Sequence, residues 1–113
     1  MTVEYLGEKI FRDEIEASGE VWVARSAYRN IYSVDLDAAS LSLPVWSSRD
    51  KAAEFLKNAR LIGPKYEPDP VPLHVFIDAW LSDRMMAIAE LQLNPDGKTS
   101  RVLCLTVEEF QAG

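Results

Sequence analysis

The sequence predicts a single α+β domain over residues 1–113, in which three helices pack on a mainly antiparallel sheet of about five strands. Two observations lead to this class. Segments with the apolar spacing of helices are separate from short β-branched and aromatic segments of strand length. The strand-like segments also come in runs of three and two instead of alternating singly with helices, which is typical of an α+β domain.

The first helix is predicted from Thr2 to about Ala17, because apolar residues recur there every three or four positions. Ser18 and Gly19 form a suitable end, since glycine adopts the left-handed conformation at a helix C-terminus without steric cost. The helix also carries an acidic run, which a solvated face explains and which could also meet a basic partner. The apolar residues are Val3, Leu6, Ile10, Phe11 and Ile15, and the acidic residues are Glu4, Glu8, Asp13, Glu14 and Glu16.

Three strand-like segments follow. Glu20–Ala24 and Asn30–Val34 are β-branched and aromatic runs, and the short polar segment between them predicts a hairpin. Leu41–Trp46 alternates at period two. Its Pro44 has no amide donor and must lie at a sheet edge or at the end of the pairing.

Two helices are predicted next. Ser47 or Ser48 caps the second helix, which ends at Gly63-Pro64, and its core-facing stripe spans one face over two turns. Tyr66–Pro72 is expected to be an extended connector, since each proline moves its predecessor out of the helical region. The third helix begins at about Pro72. The two stripes are Ala52, Phe55, Leu56 and Ala59, and then Leu73, Phe76, Ile77, Trp80, Leu81 and Arg84.

The chain is expected to close with a hairpin and a short helical segment near Phe110. Ala87–Leu93 alternates polar and apolar residues, Asn94–Gly97 has turn chemistry, and Arg101–Val107 returns as a strand. Val102–Leu105 is apolar on both faces, which predicts a central position in the sheet.

Composition narrows the classes of function. Twelve basic and 18 acidic residues give a net charge of -6, and neither half of the chain is basic, which disfavours nucleic acids and anionic membranes as partners. The chain has no apolar stretch of about 20 residues and no apolar leader at its N-terminus. Cys104 is the only cysteine, so no internal disulfide can form, and a reducing cytoplasmic location is expected.

The segment Gly97-Lys98-Thr99 matches the end of a phosphate-binding loop. The complete motif needs a glycine five positions before Gly97, where this chain has Gln92, and it needs a following helix. We therefore interpret the segment as a turn and expect no nucleotide cofactor.

His74, the single histidine, precedes Asp78 by one helical turn, a spacing that could make a base and the carboxylate that orients it. His74 lies off the predicted core stripe, however, so a surface pair is the simpler interpretation. The aromatic residues Trp22, Trp46 and Trp80 could form a ligand cage, but aromatics at element spacing favour a core.

Cys104 stands between leucines and is expected to be a buried structural thiol, since a reactive thiolate needs a partly exposed, electropositive setting. One histidine and one cysteine cannot supply a structural zinc site. Asp35 and Asp37 offer carboxylates in a predicted turn, but the glycine and further oxygen ligands of a calcium loop do not follow. The sequence thus predicts no catalytic, cofactor-binding or metal-binding residues.

Three segments resemble a bacterial family of small proteins called domain of unknown function 2750. They are Phe11–Trp22, in which a helix ends in Ser-Gly-Glu-Val-Trp, then Leu43–Ala53, and finally Pro72–Leu81. The Pro-Val-Trp-Ser segment that leads into an alanine-bearing helix is the most specific part, while residues 82–86 depart from the family pattern. The resemblance implies a fold class but no activity and no catalytic residues.

Small size, acidity and the lack of a catalytic constellation favour a non-enzymatic module that binds another protein, as a regulator or as the immunity-type neutralising partner of a basic toxin. The alternative is a small-molecule-binding or enzymatic domain that uses His74, Asp78 and the aromatics around Trp80. These two hypotheses differ in whether His74 lines a concave pocket or lies on an open helix face. A homodimer formed through an uncovered sheet edge is a further alternative.

Overall fold

Four helices and six strands follow one another in the computed structural model, which describes residues 3–83, 86–99 and 102–112. The α+β class is confirmed, with one strand more than the five expected. A 3₁₀ turn, Gly63–Lys65, separates α2 from β4. The elements are α1 (Val3–Ser18), β1 (Glu20–Ser26), β2 (Val34–Asp37), β3 (Ser40–Val45), α2 (Arg49–Asn58), β4 (Tyr66–Pro72), α3 (Leu73–Val75, continued by a π-helical turn, Phe76–Trp80), β5 (Ile88–Leu93), β6 (Leu103–Thr106) and α4 (Val107–Ala112).

The strands form two sheets instead of one. β1 and β4 make an antiparallel pair, and the other strands form a mixed sheet in the order β2-β3-β5-β6. β3 and β5 are parallel, because the chain between them crosses through α2, β4 and α3 and returns in the same direction. A bridge between Trp22 and Trp46 links the two sheets.

β4 is a strand that the sequence did not predict. Its seven residues pair with β1 from Tyr66 opposite Ser26 to Pro72 opposite Glu20. Pro68, Pro70 and Pro72 stand at alternate positions, so their missing amide donors all point to the same side of the strand. β4 lies at the edge of its sheet, and the side of the strand without these donors is the side that faces away from β1. The prolines therefore interrupt no hydrogen bond between the two strands.

The predicted hairpin of Glu20–Ala24 with Asn30–Val34 forms only at the end next to its turn. There Arg25 forms an antiparallel bridge with Ile31, the Ser26 amide donates to the Asn30 carbonyl, and the Tyr32 amide donates to the Ala24 carbonyl. β1 pairs along its whole length with β4 instead, and the strand that follows in the chain, β2, begins only at Val34. Asp35 and Asp37, which were expected in a turn, belong to β2.

Two predictions about sheet position have different outcomes. β3 lies inside the mixed sheet, but its pairing with β2 ends at Ser42, so Pro44 lies beyond that pairing, as its missing donor requires. The prediction that Val102–Leu105 is central is wrong, because β6 is an outer strand and Cys104 is exposed. Leu105 faces the core and Cys104 faces away from it, as alternation along a strand requires.

Helix α1 has the predicted extent and ends at Gly19, whose φ is 73° and whose amide donates to the Ile15 carbonyl. Its apolar stripe is wider than its buried face. Phe11 and Ile15 are buried, whereas Leu6 and Ile10 are 44% and 50% exposed. Thr2, Arg84 and Arg101, which belonged to predicted elements, lie outside the described residues.

Two apolar clusters hold the elements together. The larger is formed by both sheets together with α1, α3 and α4, and the smaller lies between β1, β4, Trp46 and α2. The buried members of the first are Phe11, Ile15, Val21, Val23, Leu43, Val45, Val71, Phe76, Leu91, Leu93, Leu105 and Phe110. Those of the second are Ala24, Trp46, Ala52, Phe55 and Leu56.

The cap of α2 gives a first test of this fold. The Ser48 hydroxyl accepts a bond of 3.2 Å from the Lys51 amide, so Ser48→Ala leaves one helix amide without its acceptor and should cost about 1 kcal/mol. Urea unfolding measures the loss. Ser33→Ala, which changes a serine outside any helix, is the control, and an unchanged midpoint for Ser48→Ala would contradict the cap.

Candidate functional site

A polar cluster forms where the parallel strands β3 and β5 end side by side. The residues just beyond these ends, Ser47 and Asn94, therefore meet. The Ser47 amide donates to Asn94 Oδ1 at 2.9 Å, and Asn94 Nδ2 donates to Ser47 Oγ at 3.1 Å. Asn94 has a φ of 50°, a conformation that asparagine tolerates better than most residues. The cluster joins the β3–α2 junction to the turn after β5.

Helix α1 adds a carboxylate to this cluster. The Ser47 hydroxyl donates to Glu14 Oε1, and Lys51 Nζ lies 2.5 Å from the same oxygen. The bonds from Lys51 and then from Ser47 hold the pKa of Glu14 below its ordinary value. Glu14 is therefore a weak base.

This arrangement does not suit nucleophilic catalysis. A serine nucleophile needs a base that can take its proton and a surface that substrate can reach. Ser47 is 3% exposed, and its carboxylate partner is already ion-paired. The cluster instead ties α1 to the start of α2, a role that the sequence did not reveal because Ser47 was expected at most to cap that helix.

The residues of the predicted histidine pair lie on the surface. His74 and Asp78 are both exposed, and within the described chain neither a hydrogen bond nor an ion pair joins them. His74 does not line the cavity beside α2, the cavity between α1 and α3, or the cavity at the turn after β5. Trp80 is half-buried against Phe76, with 5.8 Å between ring centroids. In the part of the chain that the structure describes, none of these three cavities brings His74, Asp78 and Trp80 together.

Cys104 is exposed, but its surroundings favour the protonated thiol over the thiolate. Desolvation and then the neighbouring Glu90 carboxylate raise its pKa to about 11. Asp37 accepts a bond from the Ala39 amide at 2.7 Å and so closes the turn after β2. Among the described residues, no three or more His, Cys, Asp or Glu side chains are grouped so that they could hold a metal ion.

The segment Gly97-Lys98-Thr99 is a turn organised by Asp96. The carboxylate of Asp96 accepts bonds from the amides of Lys98 and Thr99 at 2.8 and 3.1 Å. A phosphate-binding loop needs such amides for its ligand. Here an anion of the protein itself occupies them, and the preceding element is a strand without the first glycine of the motif.

An open groove lies between α1, α3 and α4. Its volume is about 270 Å³, and it is lined by Arg12, Ile15, Glu16, Leu73, Ile77, Phe110 and Gln111. Leu73 and Ile77, which were predicted to face the core, pack against the larger core cluster but are only half-buried. Their remaining surface contributes to the apolar floor of this helical groove.

Arg12 fixes the helices that surround the helical groove. Its guanidinium donates to Glu8 at 2.8 Å and to the main-chain carbonyls of Phe110 and Glu109 at 3.1 and 3.3 Å. It also lies 5.2 Å from the centre of the Phe110 ring, within cation–π range. Arg12 is thus paired with Glu8 and only partly exposed, and Glu16 is the exposed charged residue among those that line the groove.

Helix α4 is held by its own capping box. The Thr106 hydroxyl accepts from the Glu109 amide at 3.1 Å, and the Glu109 carboxylate accepts from the Thr106 amide at 2.9 Å. This reciprocal pair satisfies helix-terminal donors at the end of β6. The short helix therefore presents Phe110 to the helical groove in a fixed orientation.

Comparison with known families matches residues 9–112 to the model for proteins of unknown function DUF2750. The chain belongs to the DUF2750 family. The resemblance carried by the Pro-Val-Trp-Ser segment is therefore confirmed over nearly the whole DUF2750 chain. No curated protein matches it. In the part of this DUF2750 protein that the structure describes, no helix is both long enough and apolar enough to cross a membrane.

The ion pair of Glu14 with Lys51 predicts a pH dependence of stability. Because the folded-state pKa of Glu14 is lowered, its contribution is present above the unfolded-state pKa, about 4.3, and is lost as the pH falls through the lower folded-state value. Glu14→Gln should thus lower the free energy of unfolding at neutral pH by about 1 kcal/mol or less, since solvent screens the half-exposed pair.

Urea unfolding at a series of pH values tests this prediction for the DUF2750 protein. The difference between the wild type and Glu14→Gln should shrink in acid, while Glu16→Gln on the same helix serves as a control for the change of charge. A difference that stays constant from neutral pH into acid would contradict the assigned role of Glu14.

Proposed function

We propose that this DUF2750 protein is a non-enzymatic module that binds another protein, and that the helical groove receives an apolar side chain from a basic segment of that partner. The observation that carries the proposal is the open apolar floor of the groove. Ile15, Leu73, Ile77 and Phe110 line it together. Apolar anchors that enter such depressions supply much of the binding energy in protein interfaces.

The size of the helical groove favours a side chain over a whole small molecule. Its volume of about 270 Å³ is below the range of about 300–1,000 Å³ that is usual for small-molecule sites. His74 and Asp78, on which the small-molecule alternative depends, do not line it. No observation therefore favours that alternative at this site.

Charge supports a basic partner. Glu16 lies on the rim of the helical groove, and Asp78 and Glu108 are exposed on the other two helices that form it. Arg12, which also lines the groove, is paired with Glu8, so this pair adds no net charge. With a net charge of -6, the protein attracts a cationic partner over a distance and accelerates its association. A neutralising protein for a basic toxin, of the immunity type, is one form of this proposal.

A designed peptide tests the proposal directly. The probe is a fluorescent helical peptide with leucines at one-turn spacing flanked by lysines, and fluorescence anisotropy measures its dissociation constant. Glu16→Lys should weaken binding and reduce its salt dependence, because a rim charge acts chiefly on association. Asp35→Lys, an equal charge reversal on β2, should bind like the wild type.

A second variant tests the apolar floor. Ile77→Lys should abolish binding of the peptide, provided that its thermal melt shows a folded protein. A peptide with glutamates in place of the lysines should not bind. Equal binding by Glu16→Lys, Ile77→Lys and the wild type would overturn the assignment of the groove, and tighter binding of the acidic peptide would overturn the choice of a basic partner.

A further inference from the structure

The segment that ends α2 and leads into β4 has a charge opposite to that of the whole protein. Residues 49–65 contain five basic and two acidic side chains, and residues 55–66 contain three basic and no acidic ones. Counting charges by halves of the chain conceals this segment, because acidic residues before and after it outweigh it. These basic residues therefore form a local patch that the net charge of the chain does not reveal.

A second groove lies on this segment. Its volume is about 430 Å³, and its lining combines two cations with an apolar floor. The residues are Ala53, Leu56, Lys57, Arg60, Gly63 and Pro64. We call it the basic groove. Lys57 and Arg60 are both exposed, and within the described chain neither has an ion-pair or hydrogen-bond partner.

The shape of the basic groove depends on a close approach of the main chain. The amide of Gly63 donates to the Ala59 carbonyl at 2.7 Å, and this bond folds the chain back over the end of α2. A Cβ atom at Gly63 would lie 1.8 Å from the Leu56 carbonyl oxygen, a distance that no side chain tolerates. The 3₁₀ turn, Gly63–Lys65, is thus pressed against the helix and forms one wall of the groove.

The helix end explains only part of the positive charge. Lys57 lies in the last turn of α2, where a cation complements the helix dipole. Arg60 lies beyond the helix and caps nothing in the described chain. Two cations without counter-charges beside an apolar floor make a site for an anion that also has an apolar surface.

We propose that the basic groove binds a small molecule in which a phosphate monoester is joined to an apolar group. A monoester carries close to two negative charges at neutral pH, which matches Lys57 and Arg60. Its apolar group would contact Leu56 and Pro64. The volume of about 430 Å³ lies within the usual range for small-molecule sites. This site lies on other elements than the helical groove and does not depend on the proposed protein partner.

The test is an NMR titration of the ¹⁵N-labelled protein with phenyl phosphate, benzoate and inorganic phosphate at constant ionic strength. Phenyl phosphate should shift amides of residues 53–65 in a saturable way and bind more tightly than either of the other probes. Arg60→Gln should weaken it at least about fivefold, since a bond between charged groups is lost. Arg49→Gln, which removes the same charge near the start of α2, should bind like the wild type.

Each contrary result overturns a defined part of the proposal. Benzoate that binds as tightly as phenyl phosphate would overturn the preference for a dianion. Inorganic phosphate that binds equally well would overturn the role of the apolar floor. Equal weakening by Arg60→Gln and Arg49→Gln, or no saturable shift at millimolar concentration, would reduce the effect to general charge attraction and overturn the site.

Discussion

The hydrogen bonds of Trp46 hold the two halves of this structure together. Its amide and carbonyl exchange bonds of 2.9 and 2.8 Å with Trp22, which join the mixed sheet to the β1–β4 pair. Its indole donates to the Pro95 carbonyl at 2.8 Å, and its ring packs on Phe55 of α2 with 5.0 Å between centroids. Because Trp46 is buried and its polar groups are all hydrogen-bonded, it holds β1, α2 and the turn after β5 in place around it. Ser47, the next residue, bonds to Glu14 and so holds α1. The helices that form the two grooves are therefore positioned by the junction of β3 with α2 at Trp46 and Ser47.

The two grooves present opposite charges on different elements. In the helical groove the exposed charged residue is Glu16, because Arg12, which also lines the groove, is paired with Glu8 and bonded to carbonyls of α4. In the basic groove the cations face solvent, because α2 ends before Arg60 and the 3₁₀ turn provides no carboxylate. A protein with a net charge of -6 can therefore attract cationic partners in solution and still hold a local anion, since screening limits each field to about 10 Å.

Much of the fold could be predicted from local patterns. The helical spacing that ends at Gly19, the serine cap before Ala52 and the turn chemistry after Leu93 all depend on neighbours in sequence, and all three are present. The position of Pro44 at the end of a strand pairing was also predicted correctly, because a residue without an amide donor interrupts the hydrogen bonds of any sheet. The failures concern partners that are distant in sequence. Nothing local in Tyr66–Pro72 says that β1 lies beside it, so a strand was interpreted as a connector.

The sequence by itself determined the α+β class, the DUF2750 resemblance and the lack of a complete catalytic or phosphate-binding motif, because these depend on residue types and short spacings. The tertiary structure decided which apolar residues stay exposed. Leu73 and Ile77 belong to a core-facing stripe and pack on the core, yet both stay half-buried and line the helical groove. Ser47, likewise, is a hydrogen-bonded hub only because β3 and β5 run parallel and end together. Burial and convergence of side chains are set by packing between distant segments, which the local pattern does not encode.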